Sequence, residues 1–228
     1  MGFLMKKIMA FCAAAFCFVS LGAAQSILTA ASFFQTVSAE YGKIQDYEAS
    51  VDIVAAKTPM EGKVSFKRPN LLRIDFSNPE DQVITFNGDT LTIYLPGSDA
   101  VLEQSVDSSD GAAGANLATP QGLSLMSRYY SVAYEVGQEP VPFEAGSDEM
   151  VVKLVLSRRN TSEAFRFIKL AITPDSKLIR SIEAVTPQGE SFTFNFTNYI
   201  INAGITDQRF LYDPPSSANY YNNFLFSE

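Results

Sequence analysis

The chain has 228 residues, 17 basic against 25 acidic side chains, a net charge of −8 and no histidine. That excludes His-based triads, the usual zinc sites and the commonest general base. With an acidic balance and no basic stripe, nucleic-acid binding also lacks its main electrostatic term.

The N-terminus reads as an export leader. Lys6 and Lys7 precede an apolar run, Ile8 to Leu21, too short to span a bilayer comfortably. Gly22 and Ala24 are small and suit a cut before Gln25, giving a leader of residues 1–24 and a mature chain of 25–228. Both cysteines, Cys12 and Cys17, lie in the leader, so the mature chain has no thiol and no disulfide. Its length fits one β-rich domain that buries a core without staples, with a tail over 216–228. Removal of Lys6 and Lys7 makes the charge balance more acidic, which disfavours tight docking on anionic lipid.

From Ser26 to Ile44 the spacing of Ile27, Ala31, Phe34, Val37 and Tyr41 predicts an amphipathic helix covering one side of a sheet. Period-two alternation then predicts strands at Tyr47–Ile53, Val64–Phe66 and Leu72–Phe76. Arg68-Pro69-Asn70 reads as a turn. Val83–Phe86 and Leu91–Leu95 flank Asn87-Gly88, a strong hairpin signal. Pro96 to Pro120, rich in Ser, Asp, Gly and Ala, reads as a long loop of functional length. Gln121–Tyr130 reads as a helix through Leu123, Met126 and Tyr130.

Strands resume near Ser131–Val136, and Gly137–Asp148 reads as a second loop. Met150–Leu156, Ala164–Thr173, Leu178–Thr186 and Glu190–Ile201 follow as a meander, with a short strand at Phe210–Tyr212. About ten or eleven hairpin-connected strands and two helices favour a mainly β (α+β) fold: one large antiparallel sheet, strongly curled or nearly closed. The tail Ser216–Glu228 has no assignable element.

Catalytic chemistry is poorly represented. No GxSxG, P-loop or GxGxxG occurs. Asp107, Asp110 and Gly111 lack the later ligands of a calcium loop. Glu183 and Glu190 lie near strand ends, where charges are simply solvated. The chain reads as non-enzymatic, with no cofactor and no metal.

Gly62-x-Val64-x-Phe66-Lys67-Arg68-Pro69-Asn70-Leu71-Leu72-Arg73, then Pro79, Gln82-Val83 and Asn87-Gly88 with Leu91-Thr92-Ile93-Tyr94, resembles the LolA family of periplasmic lipoprotein carriers. Phe192-x-Phe194-x-Phe196, Asn202 to Ile205 and Phe210-x-Tyr212-x-Pro214-Pro215 are similar to its closing strands. The resemblance implies an unclosed antiparallel barrel whose helices form a lid over an apolar interior. It implies a periplasmic, monomeric shuttle. Its partners would be acylated lipoproteins, an inner-membrane lipoprotein-releasing transporter and, where one exists, an outer-membrane receptor. The alternative is a carrier or sensor of other lipids, glycolipids or mislocalised lipoproteins.

The resemblance places a lid-latching role on Arg68, bonding lid-region carbonyls, and a bulky apolar lid contact on Leu72. Lid candidates are Leu123, Leu125 and Met126. Candidates for the lipid-facing set are Ile74, Phe76, Ile84, Phe86, Ile93, Phe165, Phe167 and Phe194. Alternation offers two residue sets per strand, and the sequence leaves open which set faces the interior.

Overall fold

Alternating apolar and polar residues give each strand one side to bury, and pairing joins those sides into a single wall. The computed structural model describes residues 28–55, 57–105 and 120–223. The leader reading and the centre of the Pro96–Pro120 loop fall outside them. Among the described residues thirteen strands form one sheet. The first six are β1 (Asp46–Ala55), β2 (Thr58–Lys67), β3 (Leu71–Asn78), β4 (Glu80–Phe86), β5 (Thr90–Leu95) and β6 (Ala100–Ser105). Then come β7 (Tyr130–Tyr134), β8 (Val141–Pro142), β9 (Met150–Arg158), β10 (Phe167–Ile172), β11 (Ile179–Val185), β12 (Ser191–Ile201) and β13 (Asn219–Asn222). Among the described residues two α-helices complete the fold, α1 (Ala30–Lys43) before β1 and α2 (Pro120–Tyr129) before β7.

The spatial order is β13-β6-β5-β4-β3-β2-β1-β12-β11-β10-β9-β7, with β8 attached to β9. β13 and β7 are the two edges and do not pair, so the curl stays unclosed. Antiparallel pairing holds except between β13 and β6, which run parallel.

Three strands escape the sequence reading. β6 lies inside the stretch read as loop, β8 has only two residues, and β13 lies in the unassigned tail. β6 begins after Asp99, whose left-handed φ of 47° reverses the chain just beyond Pro96–Ser98. Phe210–Tyr212, expected as a strand, instead follows a 3-10 turn over Asp207–Phe210.

Register assigns the faces. Tyr47, Ala49, Val51 and Ile53 of β1 stand opposite Phe66, Val64, Gly62 and Met60 of β2, and Ile53 and Val51 stand opposite Phe194 and Phe196 of β12. The same inner set continues through Leu72, Ile74 and Phe76 to Ile84 and Phe86. On the other flank it runs through Ile182 and Ala184, Leu170 and Ile168, to Leu154 and Leu156. These residues and both helices form one core. Gly62 marks a close approach: a Cβ there would stand 2.5 Å from the Asp75 carbonyl oxygen, beside a register shift in the β2–β3 pair. Gly88 takes φ 105° in the β4–β5 turn, where Asn87 Oδ1 accepts hydrogen bonds from the Asp89 and Thr90 N–H groups.

The outer face of β3–β6 is covered as well. Asn202 accepts the Gln45 N–H at 2.7 Å, and the buried Asp46 carboxylate accepts the Gly204 N–H at 3.2 Å. These bonds anchor the chain where it leaves β12. Arg73 then donates to the Leu211 carbonyl at 2.9 Å, and Thr85 donates to the Phe210 carbonyl at 3.0 Å. Burial pulls the Asp75 carboxyl upward, but hydrogen bonds from Arg73 and Arg209 outweigh it and hold the group below its ordinary value. Tyr212 and Ala218 pack on Val83, Tyr94 and Val101, and β13 completes the edge beside β6.

Candidate functional site

The helices define what the inner face can do. Thr29 caps α1, its hydroxyl accepting the Ser32 N–H at 3.1 Å. Ala30, Phe33, Phe34, Val37 and Tyr41 form the buried stripe of α1. The helix lies across one end of the curl. At its start, Tyr134 at the end of β7 donates to the Leu28 carbonyl at 2.9 Å, and the Phe33 and Tyr134 rings stand 6.3 Å apart. At its other end lie β1 and the β2–β3 turn.

Arg68 holds that second end. Its Nε donates to the Ile44 carbonyl at 2.6 Å, and Nη2 donates to the carbonyls of Tyr41, at 3.2 Å, and Gly42. These carbonyls close the last turn of α1, where a helix has acceptors without internal partners and where its dipole favours a cation. The Arg68 bonds therefore fall on the end of α1, whereas the sequence reading centred the lid on α2 and the loop before it. The difference follows from topology. The β2–β3 turn lies at the end of the sheet that α1 crosses, whereas α2 packs along β7 and α1.

A second polar hold lies deeper. The Tyr41 hydroxyl accepts the Ile179 N–H at 3.0 Å, and the Tyr199 hydroxyl donates to the Ile179 carbonyl at 2.9 Å. The two hydroxyls are 3.5 Å apart. Tyr199 reaches this position through an irregularity in the β1–β12 pairing, with Asn198 at φ 54°, so it follows Phe196 onto the inner face. Simple alternation could not place it there. Tyr41 was visible as a stripe residue, but its bond to a backbone group 138 positions away had no local signal.

Burial pushes the Tyr41 phenol up to about 12, against the opposing pull of its bonds to Tyr199 and Ile179. Burial likewise raises Tyr199 and Tyr47. A phenol with a higher pKa folded than unfolded stabilises fully below the unfolded value of 10.0 and loses that contribution as pH rises towards 12. Tyr41→Phe is expected to cost about 1–3 kcal/mol, because the buried Ile179 N–H loses its acceptor. It should also flatten the alkaline limb of a calorimetric stability profile. An unchanged profile would show that Tyr41 contributes nothing to that limb.

The remaining site residues divide by depth. Leu72, Phe76 and Phe86 are buried on the inner face, and Ile74, Ile84, Phe165 and Phe194 are half-buried against the same core. Ile93 pairs with Ile84 on that face. Met60 and Leu91, absent from the sequence candidates, join the half-buried set. Leu123 and Met126 are buried, whereas Leu125 is 42% exposed and points away from the interior. Phe167 is corrected to the outer face: its neighbour Ile168 belongs to the core, and Phe167 stands opposite Ser157 and Val185. Phe165 precedes β10, so period two does not govern it, and both phenylalanines could not be assigned by counting.

The inner face thus mixes buried and half-covered apolar positions, the half-covered ones including Ile74 and Ile84, Leu91 on β5 and Phe194 on β12. This defines a class: a single-sheet, unclosed barrel with an apolar interior plugged by helices. The chain belongs to the family described as outer membrane lipoprotein carrier protein LolA, whose model matches residues 29–213. A search of curated proteins returns no match.

Among solved structures, the fold is similar to an uncharacterized conserved protein from Thermus thermophilus. That likeness has a TM-score of 0.54 at 14% identity, over 82% of this chain and 98% of that one. It is also similar to MucB in the MucA/MucB complex of Pseudomonas aeruginosa, with a TM-score of 0.50 at 12% identity, covering 83% of this chain and 62% of that one. The lipoprotein LppX of Mycobacterium tuberculosis is a further relative in shape, with a TM-score of 0.49 at 9% identity, covering 77% and 96%.

Proposed function

We propose that the chain is a periplasmic carrier that holds the acyl chains of lipoproteins against its inner face. It would take them from an inner-membrane transporter and deliver them towards the outer membrane. The observation behind this reading is the half-covered apolar wall of Ile74, Ile84, Leu91 and Phe194 beside a helix held by discrete polar bonds. Family membership supports it. Hydrocarbon in water costs about 0.8 kcal/mol per CH₂, so one chain of ~14 carbons needs roughly 10 kcal/mol of apolar contact.

α1 stands on the inner face beside that wall when no cargo is bound. Acyl chains that extend from the wall onto the surface α1 covers favour the state in which α1 has swung away. The polar bonds at Arg68 and Tyr41 set the free energy of that displacement. Met60 and Met126 beside the wall are unbranched and adaptable, which suits a surface that repacks around different chains.

The test is to purify the chain from its native envelope without detergent, extract bound material and identify it by mass spectrometry. Acylated protein or peptide is the expected result. Recovery of free lipid alone would replace the lipoprotein reading by the lipid-carrier alternative. A fully loaded complex with a signalling protein and no bound acyl group would replace it by the sensor alternative.

A further inference from the structure

The described region carries a local charge anomaly. In an acidic chain, Arg128, Arg158, Arg159 and Arg166 stand together, and none forms an ion pair among the described residues. Backbone pairing holds them close. Arg158 stands opposite Tyr130 across the β7–β9 pair, and its N–H donates to the Arg166 carbonyl at 3.3 Å. The Arg159 N–H donates to the Tyr129 carbonyl at 2.9 Å, and its Nε donates to the Tyr130 carbonyl at 3.2 Å. The Arg128 guanidinium lies 5.6 Å from the centre of the Tyr129 ring. Glu163 is the only acid in the loop between Arg159 and Arg166.

Two further facts give the cluster a direction. Tyr129 and Leu125, one helical turn apart on α2, are 38% and 42% exposed, so apolar surface stands beside the arginines. The cluster also rims the interior at the end opposite α1: Tyr130 belongs to the core, and its hydroxyl donates to the carbonyl of Phe165 at 3.3 Å. A helix face with exposed Leu and Tyr flanked by arginines matches what lies shallowly in a lipid headgroup layer.

We infer that this end of the molecule docks reversibly on anionic phospholipid membranes through Arg128, Arg158, Arg159 and Arg166, with Leu125 and Tyr129 entering the headgroup layer. The rest of the acidic surface is repelled by the same bilayer, so only this end approaches it. Screening over about 8–10 Å lets the cluster act locally despite the net charge. This rests on the carrier reading for its purpose, since it sets the end of the interior opposite α1 against a membrane, but the binding itself is testable alone.

The experiment is co-flotation of the purified chain with phosphatidylcholine vesicles and with vesicles of equal parts phosphatidylcholine and phosphatidylglycerol. Binding is expected only to the second, and high salt should abolish it. Both Arg128 and Arg166 lie on the surface, outside the core, so Arg128→Glu with Arg166→Glu should keep the fold and bind on the order of tenfold or more weakly. Lys43→Glu with Lys63→Glu, an equal charge change on other faces, should bind almost as the parent does.

Equal losses in the two double variants, equal binding to neutral vesicles, or no binding to anionic ones would overturn the inference. So would capture by a protein receptor that needs these arginines while vesicles without it are ignored. Uptake of a fluorescent fatty-acid probe, measured in parallel, separates the readings. Lost probe uptake by the parent sinks the carrier proposal, whereas intact uptake with no anionic-vesicle binding sinks only the docking one.

Discussion

Arg68→Leu is expected to loosen α1 and convert a gated interior into an open one. The change removes three hydrogen bonds to the last carbonyls of the helix. A bond from a charged donor contributes about 1.5–3 kcal/mol, and three bonds from one group do not add fully. A net loss of about 2–4 kcal/mol is the expected result, which lowers Tm by roughly 5–15 °C at this chain length. The functional effect is larger than the thermal one. With the empty closed state penalised, the variant should accept acyl cargo readily and surrender it poorly, since release is driven by α1 returning to its place on the inner face.

Arg68→Lys should fall between, because a single ammonium cannot span three carbonyls as a planar fork does. The measurements are calorimetry and transfer of a fluorescent acylated peptide to acceptor vesicles. Unchanged transfer with a lowered Tm would reduce Arg68 to a helix cap. If both stay unchanged, the latch is refuted outright.

Much of this architecture was legible in the sequence. β1, the second half of β2 and β3 follow alternation, and Asn87-Gly88 marks the β4–β5 hairpin, so these elements could be placed from the residues alone. What alternation alone could not decide is which residue set faces inward, because the β3–β6 half is covered on both sides. Val83, Tyr94 and Val101 are buried on the outer face under the returning tail, and Ile84 and Leu91 pack on the inner one. A strand covered on both faces loses its polar side and with it the signal that orients it.

That same tail covers the outer apolar side of β4–β6 at Val83, Tyr94 and Val101. It was invisible beforehand because its anchors are long-range: Arg73 to Leu211, Thr85 to Phe210 and Asp46 to Gly204. Arg68 shows the converse case. Its motif drew attention to it, but the identity of its acceptors depended on which helix crosses the sheet at that end.

The division between faces makes the carrier proposal sharply testable. Ile84→Glu and Phe167→Glu introduce the same charge at two half-buried strand positions. Ile84 stands between Ile74 and Ile93 on the inner wall, whereas Phe167 lies on the outer face opposite Ser157 and Val185. A carboxylate in the wall removes apolar contact and must lose its water when hydrocarbon is laid over it.

Ile84→Glu should therefore weaken fatty-acid probe binding by about 2–3 kcal/mol, roughly 30- to 150-fold, and Phe167→Glu should leave it within about twofold. Burial disfavours the charged form, so the new carboxyl at position 84 should titrate above the ordinary glutamate value. Lowering the pH through that raised value neutralises it, and probe binding by Ile84→Glu should then recover, while Phe167→Glu should show no such recovery. Fluorescence titration at about pH 7.5 and 5 measures both variants side by side. Equal losses in the two, or none in either, would mean that hydrocarbon is not held on the inner wall.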